Sequence, residues 1–524
     1  SPRHNQGVDY GAYRFGWEMH AAWLFYRMSG QHVFDPNIRK VPYFWQYMKL
    51  PGGKMLRDGD RFNVRDTAES YYWKQPFTAL LSYAYTSDPH LKAEFVAQGG
   101  LPNDPVLYLL LNDPSIEAGW NYDNLLLTQD FGPILGGMIS RTGWDLDRSS
   151  NDVVMEIKGG GYHFGNHQHA DAGALQVYYK GFQIGDLGLY LSYGSTYDFN
   201  FNKRSIAHSM MLAVDPEEHV EGAWYLERDE HIEGGTKFNQ RFPKTPGEAI
   251  NDPWFSNGHV VSFAENATPQ SPPTFSYFKT DLTSAYTSKI SSYTREVVFL
   301  NLMNDTVPAA FIMLDNMTTA DPSFQKYWQI NTLRPPDITS DRILLYNHVD
   351  QDTGWTQVQI MHPDAQDFEI DVLSGDQANS TFGLELNIKS DLPEANGHRI
   401  MVSPQEENRN DRFLTVFQMT SDTTQLFPVS SYSTGDLFVT VLGQTLVGMS
   451  NSTDHISREF RIDPPGRHSY QLILTGLKPG FWNIEDVETG ESVNYNVLPH
   501  HNVIQLEEVK GSLIVTPQRK YIEE

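Results

Sequence analysis

The chain has 524 residues, 40% hydrophobic and 20% charged, a composition typical of folded domains and long enough for roughly two to four of them. It has no cysteine, which excludes disulfide scaffolds, thiolate metal sites and a cysteine nucleophile, and leaves His, Asp and Glu as ligands for any metal. A net charge of -26 argues against nucleic acid as a partner, and no apolar run approaches the roughly 18 residues that would suggest a membrane span.

Residues 1–127 read as largely helical. In Gly11–Met28, Tyr13, Trp17, Ala21, Leu24 and Met28 recur at three- and four-residue steps, the signature of one helix face. Tyr71–Thr86 and Leu91–Ala97 read as two more helices, with Pro42, Pro51, Gly52 and Gly53 punctuating the connection after the first. Beyond about Leu127 the pattern changes to short β-rich runs separated by Gly, Pro, Asn and Asp. These include Val153–Lys158, Ala174–Tyr179, Phe311–Asp315, Arg342–Tyr346, Trp355–Met361 and Phe413–Met419. A further set begins near Leu437–Val447 and ends with Gly480–Glu488 and Ser512–Thr516. Helices followed by a long β region make an α+β chain. The expected division is 1–127 helical, 128–431 a large β unit and 432–524 a small C-terminal β domain.

The chemistry-bearing residues are concentrated in Gly159–Tyr190. Strand alternation there would put His167, His169 and Asp171 on one face. Asp186 follows, and Phe201–Met211 adds Lys203, Arg204 and His208. Two histidines and an aspartate can hold a metal without sulfur, but the spacing from His169 to Asp186 to His208 matches no local motif. Hydrogen-bonded histidines at a sheet surface, or a hydrolytic dyad of His167 and Asp186, fit the same residues. At the N-terminus, Tyr10 and Arg14 are four apart and would be neighbours on a helix. A cation beside a phenol favours the phenolate, so the pair suits proton transfer, and it equally suits a packing or cation–π contact. Neither Gly159–Gly161 nor Gly52-Gly53-Lys54 has a phosphate-loop pattern. Five Asn-x-Ser/Thr sequons, at Asn266, Asn304, Asn316, Asn379 and Asn451, are what chance would also give.

Four stretches together resemble the heparinase II/III family of polysaccharide lyases, heparinase II above all. They are Asn166-His167-Gln168-His169-x-Asp171-Ala172-Gly173-Ala174, Tyr178-Tyr179-Lys180-Gly181, Asp186-x-Gly188-x-Tyr190 and Lys203-Arg204-x-Ile206-Ala207-His208. Gln6-Gly7-x-x-Tyr10-x-x-x-Arg14-Phe15, Arg27-Met28 and Arg141-Thr142-Gly143-Trp144 extend the similarity, and Val307-Pro308-Ala309-Ala310 resembles it more weakly. The resemblance implies an incomplete (α/α) toroid followed by antiparallel β-sandwich layers. It implies Tyr10 and His167 as catalytic groups and Arg14, Asn166 and Tyr190 as substrate contacts. It implies a structural zinc on His169, Asp186 and His208. Family members carry further helices before the Tyr10 motif, so the toroid half is expected as a separate chain, a neighbouring copy or a missing part of a longer product that here starts at Ser1.

The implied reaction is β-elimination on a uronic-acid polysaccharide such as heparan sulfate, alginate or ulvan, by an enzyme that is secreted, periplasmic or at the cell surface. The substrate carboxylate must first be neutralised, a base then removes the C5 proton, and an acid protonates the departing C4 oxygen. Tyr10 can do both for one uronic epimer. For the other, His167 is the base and Tyr10 the acid, from opposite sides of the ring. The alternatives are a uronyl C5-epimerase and a non-enzymatic carbohydrate-binding or structural surface protein. The acidic charge disfavours densely sulfated glycans, unless Arg14, Arg141, Lys180, Lys203 and Arg204 build a locally basic cleft.

Overall fold

The computed structural model describes residues 2–60, 76–218, 233–238, 241–268, 271–382, 384–386, 388–466 and 468–520. Its helices come first: α1 (Asp9–Ser29), α2 (Val41–Met48), α3 (Pro76–Thr86), α4 (Pro89–Ala97) and α5 (Pro105–Leu111). Three of them have the start signals that backbone chemistry asks for. Asp88 caps α4 and Asp104 caps α5 by accepting from backbone N–H groups of the first turn, and each is followed by proline. Pro42, expected to mark a connection, instead sits in the first turn of α2, where its missing N–H costs nothing. Residues 71–75 of the expected helix 71–86 lie outside the described residues.

The face of α1 that packs inward is not the one the sequence pattern suggests. Ala12, Phe15, Gly16, Met19 and Ala22 are buried. The stripe of Tyr13, Trp17, Leu24 and Met28 faces outward, with Trp17 62% and Met28 77% exposed. A helix apolar on both sides satisfies the same periodicity twice, and packing selects the side with small residues. Gly16 lets α3 approach so closely that a Cβ there would lie 2.5 Å from the Thr78 hydroxyl, which itself donates to Ala12 O.

The helices lie on one face of a five-stranded antiparallel meander, in which Thr128–Asp130, Leu135–Arg141, Val154–Gly161, Leu175–Tyr178 and Phe182–Ile184 follow one another in order. Phe131, Ile139, Val154 and Tyr178 join the helical core, whereas Met138, Met155, Ile157 and Val177 join the core of the β-sandwich. Opposite the meander stands an eight-stranded antiparallel sheet, whose central strands Ile290–Asn301, Ala309–Thr319 and Asn410–Thr420 are buried on both faces. Strand alternation divides them: Phe311, Met313 and Phe417 pack towards the meander, and Ile312, Leu314 and Val416 pack towards Phe438, Val447 and Ile473 of the C-terminal sheets. A four-stranded sheet completes the middle layer, with Met211–Val214 at its edge beside Gln325–Thr332. The C-terminal region is a five-stranded and a four-stranded sheet around Leu437, Ile462, Trp482 and Val515. The whole is α+β, helices first and antiparallel sandwich layers after.

Candidate active site

The site lies where the helices meet the meander. Its central loop runs from the end of strand Val154–Gly161 to the start of Leu175–Tyr178. The expected strand does not continue through His167, His169 and Asp171. Gly161, Gly165 and Asn166 all take positive φ, at 90°, 71° and 59°, and turn the chain out of the sheet. The loop is fixed internally: Gln168 accepts from Phe164 N–H at 2.7 Å and donates to Tyr162 O, and Ala170 N–H donates to Lys203 O at 2.9 Å.

His167 and His169 nevertheless reach a common partner. His167 Nδ1 lies 2.7 Å from one carboxylate oxygen of Asp60, and His169 Nε2 lies 3.0 Å from the other. Asp60 is fully buried, and Lys203 Nζ also donates to it at 2.6 Å. Burial pushes the Asp60 carboxyl up, but the hydrogen bonds from both histidines, with the charges of His169 and Lys203, outweigh this and hold it well below the usual carboxylate range. Asp60 carries no sequence signal beyond a Gly-Asp pair, and it lies 107 residues from His167, so sequence reasoning passed it over. Asp171 pairs instead with Lys158, in a buried network with Arg3, Asp58 and Glu156.

Tyr10 enters from the first turn of α1. Its ring stacks on that of His167, with centroids 3.5 Å apart and planes 11° from parallel. Its hydroxyl is 3.0 Å from that of Tyr190. Burial, then the bond to Tyr10, push the Tyr190 hydroxyl far above the ordinary phenol range, and either hydroxyl can be the donor in the pair. Asn166 is half-buried beside His167. Arg14 is exposed, and its guanidinium lies 5.4 Å over the ring of Tyr13.

His169, Asp186 and His208 also converge, with one potential ligand atom from each within 4.8 Å of the others. Because His169 Nε2 faces Asp60, its Nδ1 is left to face His208 Nε2, at 3.3 Å. That spacing equals the edge of about 3.3 Å between two nitrogens bound tetrahedrally to zinc at 2.0–2.1 Å. Asp186 faces His208 Nδ1 at 3.4 Å, so the dyad of His167 with Asp186 is not formed; the carboxylate of His167 is Asp60. The nitrogen and oxygen donors suit zinc, and the carboxylate behind His169 is what a zinc-bound histidine commonly has.

The basic cleft does not form as expected. Arg141 is buried and donates to Tyr47 O and Lys49 O, Arg204 is buried against Glu233, and Lys203 is buried against Asp60.

Residues 431–517 match the heparinase II C-terminal domain. No curated protein matches the chain in sequence. Among solved structures, a mutant heparan sulfate lyase from Pedobacter heparinus is similar with a TM-score of 0.53 at 13% identity, over 86% of this chain and 59% of that one. A heparinase III gene product is similar with a TM-score of 0.50 at 9% identity, over 84% of this chain and 57% of that one. The chain therefore spans between half and two thirds of the length of these structures, and at such identities the likeness is one of fold. Residues 431–517 thus form a heparinase II C-terminal domain, and the fold of the chain as a whole is like that of these lyase structures.

Proposed function

We propose that these residues form the catalytic half of a lyase that cleaves a uronic-acid polysaccharide by β-elimination. The observation that carries the reading is the contact of Tyr10 with both His167 and Tyr190. In the proposed step the Tyr10 oxygen, as phenolate, takes the C5 proton of the uronate. The electrons of that C–H bond form the C4–C5 double bond, the C4–O bond breaks, and the departing oxygen takes a proton back from Tyr10. The Tyr190 hydroxyl supports the phenolate by donating to it, and Asn166 offers its amide to the substrate carboxylate. Arg14, on the same side of α1 as Tyr10, offers an exposed cation to the polymer.

No sugar ring fits between aromatic rings in van der Waals contact. The stack therefore suits an elimination in which one residue serves as base and acid on one face of the sugar. That geometry belongs to glucuronate- and mannuronate-type units, whose C5 proton and C4 oxygen lie on the same side. The acidic chain and its internal arginines favour sparsely sulfated polymers.

Zinc on His169, Asp186 and His208 would have the structural role of holding the loop that presents His167. No helix among the described residues is long and apolar enough to cross a membrane. A polymer substrate places the enzyme outside the cytoplasm, by secretion, in a periplasm or at the cell surface. The outward apolar stripe of α1 is proposed to be covered by a further helical segment, in a separate chain or a neighbouring copy, and the three-part division at 127 and 431 is proposed for the remainder. The test is incubation of the purified protein, with its helical partner, with heparan sulfate, chondroitin, alginate and ulvan. Rising ultraviolet absorbance from an unsaturated uronate is expected for at least one. Products with only saturated ends would mean hydrolysis, an inverted C5 without cleavage would mean an epimerase, and no change on any polymer would favour the binding-protein reading.

A further inference from the structure

One buried carboxylate touches both parts of the site. Asp60 Oδ2 receives His167 Nδ1 at 2.7 Å and Lys203 Nζ at 2.6 Å, while Oδ1 receives His169 Nε2 at 3.0 Å and Asn202 Nδ2 at 3.4 Å. A carboxylate only accepts, so each histidine must carry its proton on the nitrogen facing Asp60. In the neutral form of each ring the remaining nitrogen is then the lone pair. His167 presents an unprotonated Nε2, the form a proton acceptor needs. His169 presents an unprotonated Nδ1 towards His208, the form a metal ligand needs.

The backbone leaves Asp60 little freedom. Its N–H donates to His167 O, and the preceding Gly59 has a φ of 69° in which a Cβ would lie 2.8 Å from that same oxygen. Lys203 and Asn202 come from the turn that leads to His208, so the donors on Asp60 and the third potential ligand share one short segment. Asp60 cannot shift towards one histidine without loosening the other.

We propose that Asp60 is a positioning residue that ties the orientation and tautomer of His167 to occupation of the metal site. It acts through the two histidines and touches no substrate. The proposal rests on the site described above, but its readouts need no substrate, so it stands or falls separately from the lyase reading.

The experiment is nuclear magnetic resonance of the chain labelled with ¹⁵N-histidine, zinc-loaded and chelator-stripped, in wild type and Asp60→Asn, with zinc affinity measured by competition with a chelating dye. In zinc-loaded wild type His167 is expected as the Nδ1–H tautomer, and stripping should shift or broaden its ring signals together with those of His169 and His208. In Asp60→Asn zinc affinity should fall about 10–100-fold, the usual effect of losing a carboxylate behind a metal-bound histidine. Zinc added to that variant should move His169 and His208 and leave His167 unmoved, which separates coupling through Asp60 from coupling along the two-residue backbone link. An Nε2–H tautomer of His167 in wild type, wild-type His167 signals indifferent to zinc, or an Asp60→Asn affinity within about 2-fold of wild type would each overturn the proposal. Should Asp60→Asn not fold, Asp60→Glu, which moves the carboxylate by one methylene, replaces it with the same expected and overturning outcomes.

Discussion

The rings of Tyr10 and His167 lie face to face at 3.5 Å, although one belongs to the first turn of a helix and the other to a loop of the β region. In the proposed reaction the contact makes the two residues a single unit on one side of the sugar. Tyr10→Phe keeps the ring and the stack and removes only the hydroxyl. It should lower turnover by at least about 10³-fold, because the group proposed to move the proton is gone. Thermal stability should change by less than about 1 kcal/mol, since the ring and its stack are kept and the hydroxyl is only part-buried. Turnover within a few fold of wild type on a good substrate would show the hydroxyl to be structural.

The same stack predicts selectivity between epimers. On paired polymers that differ in C5 configuration, polymannuronate against polyguluronate or glucuronate-rich against iduronate-rich heparan sulfate, the first of each pair should be cut at least about 10-fold faster. Equal rates would require Tyr10 and His167 to part and admit the sugar between them.

A metal assay tests the third part of the site. Protein purified without added metal should contain close to one zinc per chain. His208→Ala should lose it and denature at a lower temperature, by roughly 5–10 °C, because a structural metal contributes folding energy. Well-folded wild-type protein that contains no zinc would end the assignment.

Stability should also fall in acid through the buried network beside the site. Burial pushes the Asp58 carboxyl up, but the charges of Arg3 and Lys158 outweigh it and hold the group below its ordinary value. A lowered carboxylate contributes stability that is present above the unfolded value near pH 4 and disappears as pH falls through the folded one. Between pH 5 and pH 3 the melting temperature should drop, by on the order of 1 °C from this group. Asp58→Asn should reduce that dependence as well as the stability at pH 7.

The outward stripe of α1 gives a prediction about assembly. Trp17→Lys with Met28→Lys should reduce self-association and apolar-dye binding of the isolated chain, while changing its own stability by less than about 1 kcal/mol, because both residues are exposed. With the proposed helical segment added, the same pair should weaken association. A pair that leaves both behaviours unchanged would mean that the stripe is simply solvated.

Much of this was legible in the residues. The helix-to-strand change is written in the periodicity, and the positions of β-branched and aromatic residues mark most central strands. Tyr10, His167 and the three potential metal ligands follow from the motifs. Two readings misled for identifiable reasons. Alternation through His167, His169 and Asp171 looks like a strand, but three positive-φ positions at and around Gly165 break it, and those depend on close contacts that spacing does not encode. The periodic face of α1 is real, yet periodicity does not say which of two apolar faces is covered. Asp60 was invisible because its role depends on a contact across 107 residues.

The anchoring of His208 has a bearing on the order in which the protein matures. The backbone oxygens of Ile206 and His208 both accept from the side chain of Gln329, and Met211–Val214 pairs with Gln325–Thr332. The segment that carries His208 is thus anchored by a residue that leaves the ribosome 121 positions after it. Nascent chains shorter than this anchor can form helices and the meander but lack the clamp on His208, and long-range pairing of this kind is slow. In refolding from denaturant, zinc uptake should lag behind recovery of β-structure, and Gln329→Ala should lengthen that lag.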